Sequence, residues 1–265
     1  MMNRWAANWA LSVAAVACVT PAHAGVAVSS YGAISGKHVV SFDELITGVD
    51  ITNPVASNRA VDGIVYSQGV AIAEHFAGQT VSPSGDFDVL SDAPGRPLQL
   101  VAGAPGENLY AALYRVTDLA TFSFDSVLSG VGFKGPSSIG GVGEGAMSFL
   151  FSSDQSQFGL QVIGMNGGFL NFAFFRQDGS LINSLAIRAA DKSYLGFFST
   201  SREIRGVSLW NSDPNGMSIN NLKHDVASNL AAVPEPGQWA LMLGGLATLS
   251  WSVASQRRIR RRATR

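Results

Sequence analysis

Between about residues 25 and 230, apolar and polar positions alternate in short runs broken by Gly, Asp, Asn and Pro. Met147, Phe149 and Phe151 alternate with smaller or polar neighbours, and so do Phe158, Leu160 and Val162. A period of two puts every second side chain on one face of a sheet, and helical spacing is scarce. In "FLNFAFFRQDGSLINSLAI", Leu170, Phe172 and Phe174 share one face. Asp178-Gly179 supplies the positive φ angles of a tight turn, and Leu181, Leu185 and Ile187 return on a common parity, which predicts a hairpin. "YLGFFS", "IRGVSLW" and "MSINNL" read as three more strands, with Asp213-Pro214-Asn215-Gly216 as the turn between the last two. Upstream, "HVVSFDEL", "GIVYS", "VAIAE", "LQLVA", "LYAALYRV" and "ATFSFD" read as strands. The total is roughly 10 to 13, at a spacing that predicts an all-β body folded as a single β-sandwich. Thr80 to Arg96 and the glycine-rich stretch Gly130 to Gly145 read as loops, and no internal repeat is evident.

Both ends break this pattern. Arg4 precedes an apolar run, Trp9 to Val19, that is too short to span a bilayer. Pro21 and Ala22-His23-Ala24 follow, and small residues at Ala22 and Ala24 suit a signal peptidase. Residues 1–24 are therefore expected to be a signal peptide cut before Gly25. The residues ahead of Cys18, Ala15-Val16-Ala17, lack the leucine usual in lipoprotein signals. At the other end, Pro236 to Gln256 is uncharged. As a helix this run reaches about 30 Å, enough to cross a bilayer once. Trp239 and Trp251 stand near its two ends, where indole rings favour the interface. Arg257, Arg258, Arg260, Arg261 and Arg262 come next and hold that end cytoplasmic, which places residues 25–230 outside. Pro234 and Pro236 keep the junction extended.

The ends also change the charge balance. They contain seven of the 18 basic residues and one of the 19 acidic ones, so the body carries a net charge of -7. An acidic body argues against nucleic-acid binding through phosphate neutralisation. Cys18 is the one cysteine, so removal of the signal peptide would exclude thiol catalysis, cysteine-metal sites and disulfides.

Val233-Pro234-Glu235-Pro236, one apolar span and an arginine cluster together resemble the PEP-CTERM sorting signal, here residues 231–262. The resemblance implies that Pro234, Glu235 and Pro236 are recognised by a membrane-embedded exosortase. It makes Arg257, Arg258, Arg260, Arg261 and Arg262 the stop-transfer cluster. It further implies a Gram-negative host that makes exopolysaccharide, cleavage near the Pro-Glu-Pro, and passage from the inner membrane to the cell surface or matrix. Residues 42–76 and 147–222 also resemble the jelly-roll-like bodies found ahead of such tails and in carbohydrate-binding modules. A late strand there often carries Ile-Asp-Asp or Ile-Asp-Asn, and Ile219-Asn220-Asn221 replaces that carboxylate, which weakens a calcium role for Asn220.

Motifs for specific chemistry are sparse. "GVGFKG" fits G-x-G-x-x-G, but Pro136, two serines and two glycines follow, so no helix opens there. There is neither a G-x-S-x-G elbow nor an H-E-x-x-H, and His38, His75 and His224 lack ligand spacing, reading as ordinary surface or half-buried side chains. Asp86, Asp88 and Asp92 could offer calcium hard oxygen ligands, although their spacing is not that of an EF-hand. No other cofactor is implied. Trp210, at the end of a predicted strand, is a candidate for stacking on a sugar ring, with Asn211, Asp213 and Asn215 bonding its hydroxyls. Paired carboxylates for glycoside hydrolysis need lie only roughly 5 to 10 Å apart in space, which spacing along a chain does not reveal. The expectation is a surface or matrix protein, structural, adhesive or polysaccharide-binding, and not an enzyme. The alternatives are a secreted polysaccharide-active hydrolase and a protein permanently anchored in the inner membrane.

Overall fold

The computed structural model describes residues 25–46, 53–115, 124–137 and 141–224. The expected signal peptide and sorting tail lie outside them. In chain order the strands are β1 (Val26–Ser30), β2 (His38–Val40), β3 (Arg59–Val61), β4 (Val65–Ser67), β5 (Val70–Ala73), β6 (His75–Phe76), β7 (Thr80–Ser84), β8 (Phe87–Ser91), β9 (Leu100–Val101) and β10 (Leu109–Arg115). Then follow β11 (Phe124–Val131), β12 (Val142–Gly145), β13 (Met147–Gln155), β14 (Gln157–Ile163), β15 (Leu170–Phe175), β16 (Leu181–Ile187), β17 (Ser193–Ser199), β18 (Ile204–Asn211) and β19 (Ser218–His224). Short 3-10 turns lie at Tyr31–Ala33, Asp43–Leu45 and Pro54–Ser57. Among the described residues no helix is long and apolar enough to cross a membrane.

The described residues are all-β, and their two large sheets pack as a sandwich. One has nine strands in the order β1-β17-β14-β19-β11-β10-β3, with β12 beside β11 and β2 beside β19. The other has six, β16-β15-β18-β13-β5-β4. Alternation sends Phe158, Leu160, Val162 and Phe197 inward from the first sheet and Phe149, Phe151, Phe172 and Phe174 inward from the second. Their rings interlock across the interface. Phe197 lies 4.8 Å from Phe158 and 4.6 Å from Phe172, and Phe151 lies 5.7 Å from Phe158. Asn183 of β16 closes one side of the sandwich. Its carbonyl accepts from the Val26 N–H and its amide donates to the Val26 carbonyl, each at 2.9 Å.

The structure corrects the expected pattern in three places. Thr80 to Arg96 is not a loop throughout, because β7 and β8 pair as a hairpin from Thr80↔Ser91 to Ser84↔Phe87. Gly130 to Gly145 likewise contains β12, which pairs with the end of β11. The hairpin of β15 and β16 exists, but its parity breaks. The register slips between Phe174 and Phe175, so Leu181 faces Phe175 and is 54 % exposed, while Ile182, Leu185 and Ile187 pack on the core. A bulge inserts an extra residue and flips the faces beyond it. Of the Asp178-Gly179 pair, Gly179 alone adopts a positive φ, at 78°.

Outside the six-stranded sheet, Phe76, Leu98, Ala173 and Phe175 form a second small core against Leu150 and Trp210. The pair β6–β9 lies over this face. Polar groups trapped beneath it are satisfied. Ser148 and Ser208 share a hydrogen bond of 2.9 Å, and the Gln79 side-chain carbonyl accepts from Ser208 and from the Phe76 N–H.

Candidate functional site

A cleft of about 310 Å³ opens where β5 passes into β6 and the β7–β8 hairpin folds across the end of β11. Glu74, His75, Asp88 and Glu107 line it, with Val81, Pro83, Val131 and Phe133. Adjacent residues of a regular strand point to opposite faces, so Glu74 and His75 should not share one cleft. Asn108 explains why they do. Its fully buried carboxamide accepts from the N–H groups of Glu74 (3.0 Å) and Gly103 (3.2 Å). It donates to the carbonyls of Val61 (2.7 Å) and Gly63 (2.9 Å). These bonds separate Glu74 from the sheet ladder and end β5 there. The Glu74 carboxylate then bonds the His75 imidazole Nδ1 at 2.9 Å.

Asp88 is the cleft's most perturbed group. Burial pushes its carboxyl up to about 6, and the nearby Glu74, and to a smaller extent Glu107, add to the shift. Backbone N–H groups of Ala146 and Phe133 bond the carboxylate and oppose it. The native state therefore binds this proton more tightly than the unfolded chain does. The stability Asp88 contributes is complete below about pH 4 and is lost as pH rises through about 6. Asp88→Asn is expected to flatten that part of the melting-temperature profile. An unchanged slope between pH 4 and 7 would refute this account of Asp88. Behind the cleft, Glu144 on β12 is 2 % exposed and one of its carboxylate oxygens lacks a hydrogen-bond partner. Burial, then Asp86, raises its carboxyl, while Lys134 lowers it.

Of the residues singled out from sequence as ligand or metal candidates, Asp88 alone lines this cleft. Asp86 sits at the β7–β8 turn and pairs with Lys134, Asp88 enters the cleft, and Asp92 follows β8 with φ 64°. Among the described residues no group of three or more His, Cys, Asp or Glu side chains is arranged to hold a metal ion. Asn220 is 2 % exposed and its side-chain carbonyl accepts from the Asn221 N–H at 2.6 Å, at a bulge where Asn221 has φ 48°.

Trp210 packs half-buried on the small outer core. Asn211 and Asp213 are buried and spend their polar atoms on backbone. Asn211 donates to the Gly143 carbonyl at 2.7 Å and accepts from the Asp213 N–H at 2.9 Å. The two Asp213 oxygens accept from Asn166, Gly167 and Asn215 N–H groups. Asn215 is exposed. A second depression of about 390 Å³, lined by Met165 to Gly168 and Arg188 to Asp191, lies nearby without any of these four residues in its wall. His224 is fully buried and stacks on His38 at 5.4 Å, so it is not the surface or half-buried histidine expected from sequence.

No family model matches the chain, and no curated protein does. Among solved structures the chain is similar to the enzymatically active domain of bacteriophage CBA120 tailspike protein 4, at 15 % identity and a TM-score of 0.25. That likeness covers 43 % of this chain and 17 % of that one, so the chain spans less than a fifth of the tailspike domain's length. An overlap of that extent does not define a shared fold.

Proposed function

We propose that this chain is an exported cell-surface or extracellular-matrix protein whose jelly-roll-like sandwich binds polysaccharide. The cleft carries this reading. Three carboxylates and an imidazole converge on one opening, where they can accept and donate hydrogen bonds to sugar hydroxyls, and Phe133, 46 % exposed at its rim, offers a ring face. Pro234, Glu235 and Pro236 with the arginine cluster support PEP-CTERM sorting, with signal peptidase and exosortase as partners during export and exopolysaccharide as partner at the surface. On this reading the membrane association through the tail is transient.

A glycan array with wild-type protein and the Glu74→Gln/Asp88→Asn double variant tests the cleft. Loss of signal in the variant is expected, and equal signals would reject the cleft as the binding site. Intact mass of the surface-released protein tests the sorting. It should lack the arginine tail, and a full-length C-terminus would favour a permanent anchor.

One observation favours a hydrolase as second reading. Burial, then Glu74, raises the Asp88 carboxyl to about 6, the range in which a carboxylic acid can serve as a general acid. A reducing-end assay on the host's own exopolysaccharide separates the two readings. New reducing ends that disappear in Asp88→Asn would make the protein an enzyme.

A further inference from the structure

The outer face of the nine-stranded sheet carries an ordered file of aromatic rings remote in the fold from the cleft. Tyr194 and Phe198 project from it on the same parity of β17 and are 52 % and 45 % exposed, while Leu195 and Phe197 between them turn to the core. Tyr31 completes the file from the turn that follows β1, with its ring centre 5.1 Å from that of Tyr194.

Two glycines make room for Tyr31. Gly159 of β14 and Gly196 of β17 are cross-strand partners. A Cβ on Gly159 would stand 2.7 Å from the Tyr31 ring, and one on Gly196 would stand 2.6 Å from the Ser30 carbonyl. Tyr31 is then fixed at both ends. Its hydroxyl donates to the Asn221 carbonyl at 2.9 Å, and the Lys223 ammonium lies 5.4 Å from its ring centre. Gln161, the cross-strand partner of Tyr194, accepts from the Asn221 amide at 2.8 Å. The face thus offers three aromatic rings with amides beside them. At about 3.3 Å per residue, Tyr194 and Phe198 stand about 13 Å apart, longer than one sugar ring.

Charge selects the occupant. The body carries a net charge of -7, yet β1, β17, β14, β19 and β2 contain no Asp or Glu, and Lys223, their one Lys or Arg, is engaged with Tyr31. An uncharged aromatic and amide strip on an acidic body fits an uncharged chain, while a polyanion would meet repulsion from the rest of the surface. We propose that Tyr31, Tyr194 and Phe198 form a second polysaccharide-binding surface for a neutral pyranose polymer, one that holds the chain while the cleft engages part of it. This rests on the polysaccharide reading above.

Affinity electrophoresis of the exported body in gels containing hydroxyethyl cellulose, galactomannan, dextran or polygalacturonate tests it. Retardation by at least one neutral polymer is expected, with none by polygalacturonate. Tyr194→Ala/Phe198→Ala should weaken that retardation about tenfold or more. Phe169→Ala, which removes a ring 39 % exposed elsewhere, should leave it unchanged. Both ring positions are exposed, so the double variant should melt with the wild type, and its melting curve identifies any loss due to unfolding. Retardation unaltered by the double variant but lost in Glu74→Gln/Asp88→Asn would overturn the aromatic surface and leave the cleft reading standing. Retardation by polygalacturonate alone would overturn the neutral ligand. No retardation on any polymer would remove both readings.

Discussion

Phe158→Ala is expected to lower the folding free energy by about 3 to 5 kcal/mol, one of the largest single losses available in this chain. Phe158 is fully buried at the centre of the sandwich, and its ring meets Phe151 and Phe174 from the opposite sheet and Phe197 from its own. Truncation removes the transfer free energy of the ring. It also leaves a cavity that rigid sheets on both sides cannot close. Without disulfides to restrain the unfolded chain, that loss falls directly on a marginal total. Urea denaturation measures it, with Phe133→Ala as the exposed control at within about 0.5 kcal/mol. A Phe158→Ala loss as small as the control's would mean that the two sheets do not share this core.

The second large effect is polar. Asn108→Ala is expected to cost about 3 kcal/mol, because it strands the N–H groups of Glu74 and Gly103 and the carbonyls of Val61 and Gly63. Asn58 provides a scale. It accepts one bond, from the Leu113 N–H at 2.9 Å, so Asn58→Ala should cost about 1 kcal/mol. Asn108→Ala should also release Glu74 from its place and abolish binding at the cleft in protein that still folds. Equal losses for the two variants in urea would show that Asn108 does not organise the junction of β5 and β6.

The legible strands were those whose period of two is set by large apolar side chains. β14 is the plainest case, with Phe158, Leu160 and Val162 turned to the core, and β15 and β17 follow the same rule. The β7–β8 hairpin was missed for the opposite reason. One of its faces carries Thr80, Ser82, Ser84 and Ser91, and Pro83, Gly85 and Asp86 signal a turn more strongly than Val81 and Leu90 signal a strand. Register was also hidden, since the bulge that exposes Leu181 depends on pairing and not on composition. Asn211 and Asp213 looked available for a ligand because turn residues do, yet folding used both to satisfy backbone N–H and C=O groups.

The sequence by itself determined the β-structure of the described residues, because alternation and turn chemistry are local properties of the chain. It also carried the acidic balance of the body and the PEP-CTERM-like order of prolines, apolar span and arginines. Only the tertiary structure decided which polar residues meet. Glu74, Asp88 and Glu107 lie on separate segments, and the buried Asn108 and the β7–β8 hairpin bring them to one cleft. Tyr31 and Tyr194 are far apart in the chain, and the bare Gly159–Gly196 pair lets them stand together. Such meetings depend on contacts between distant segments, and no periodicity along a chain encodes them.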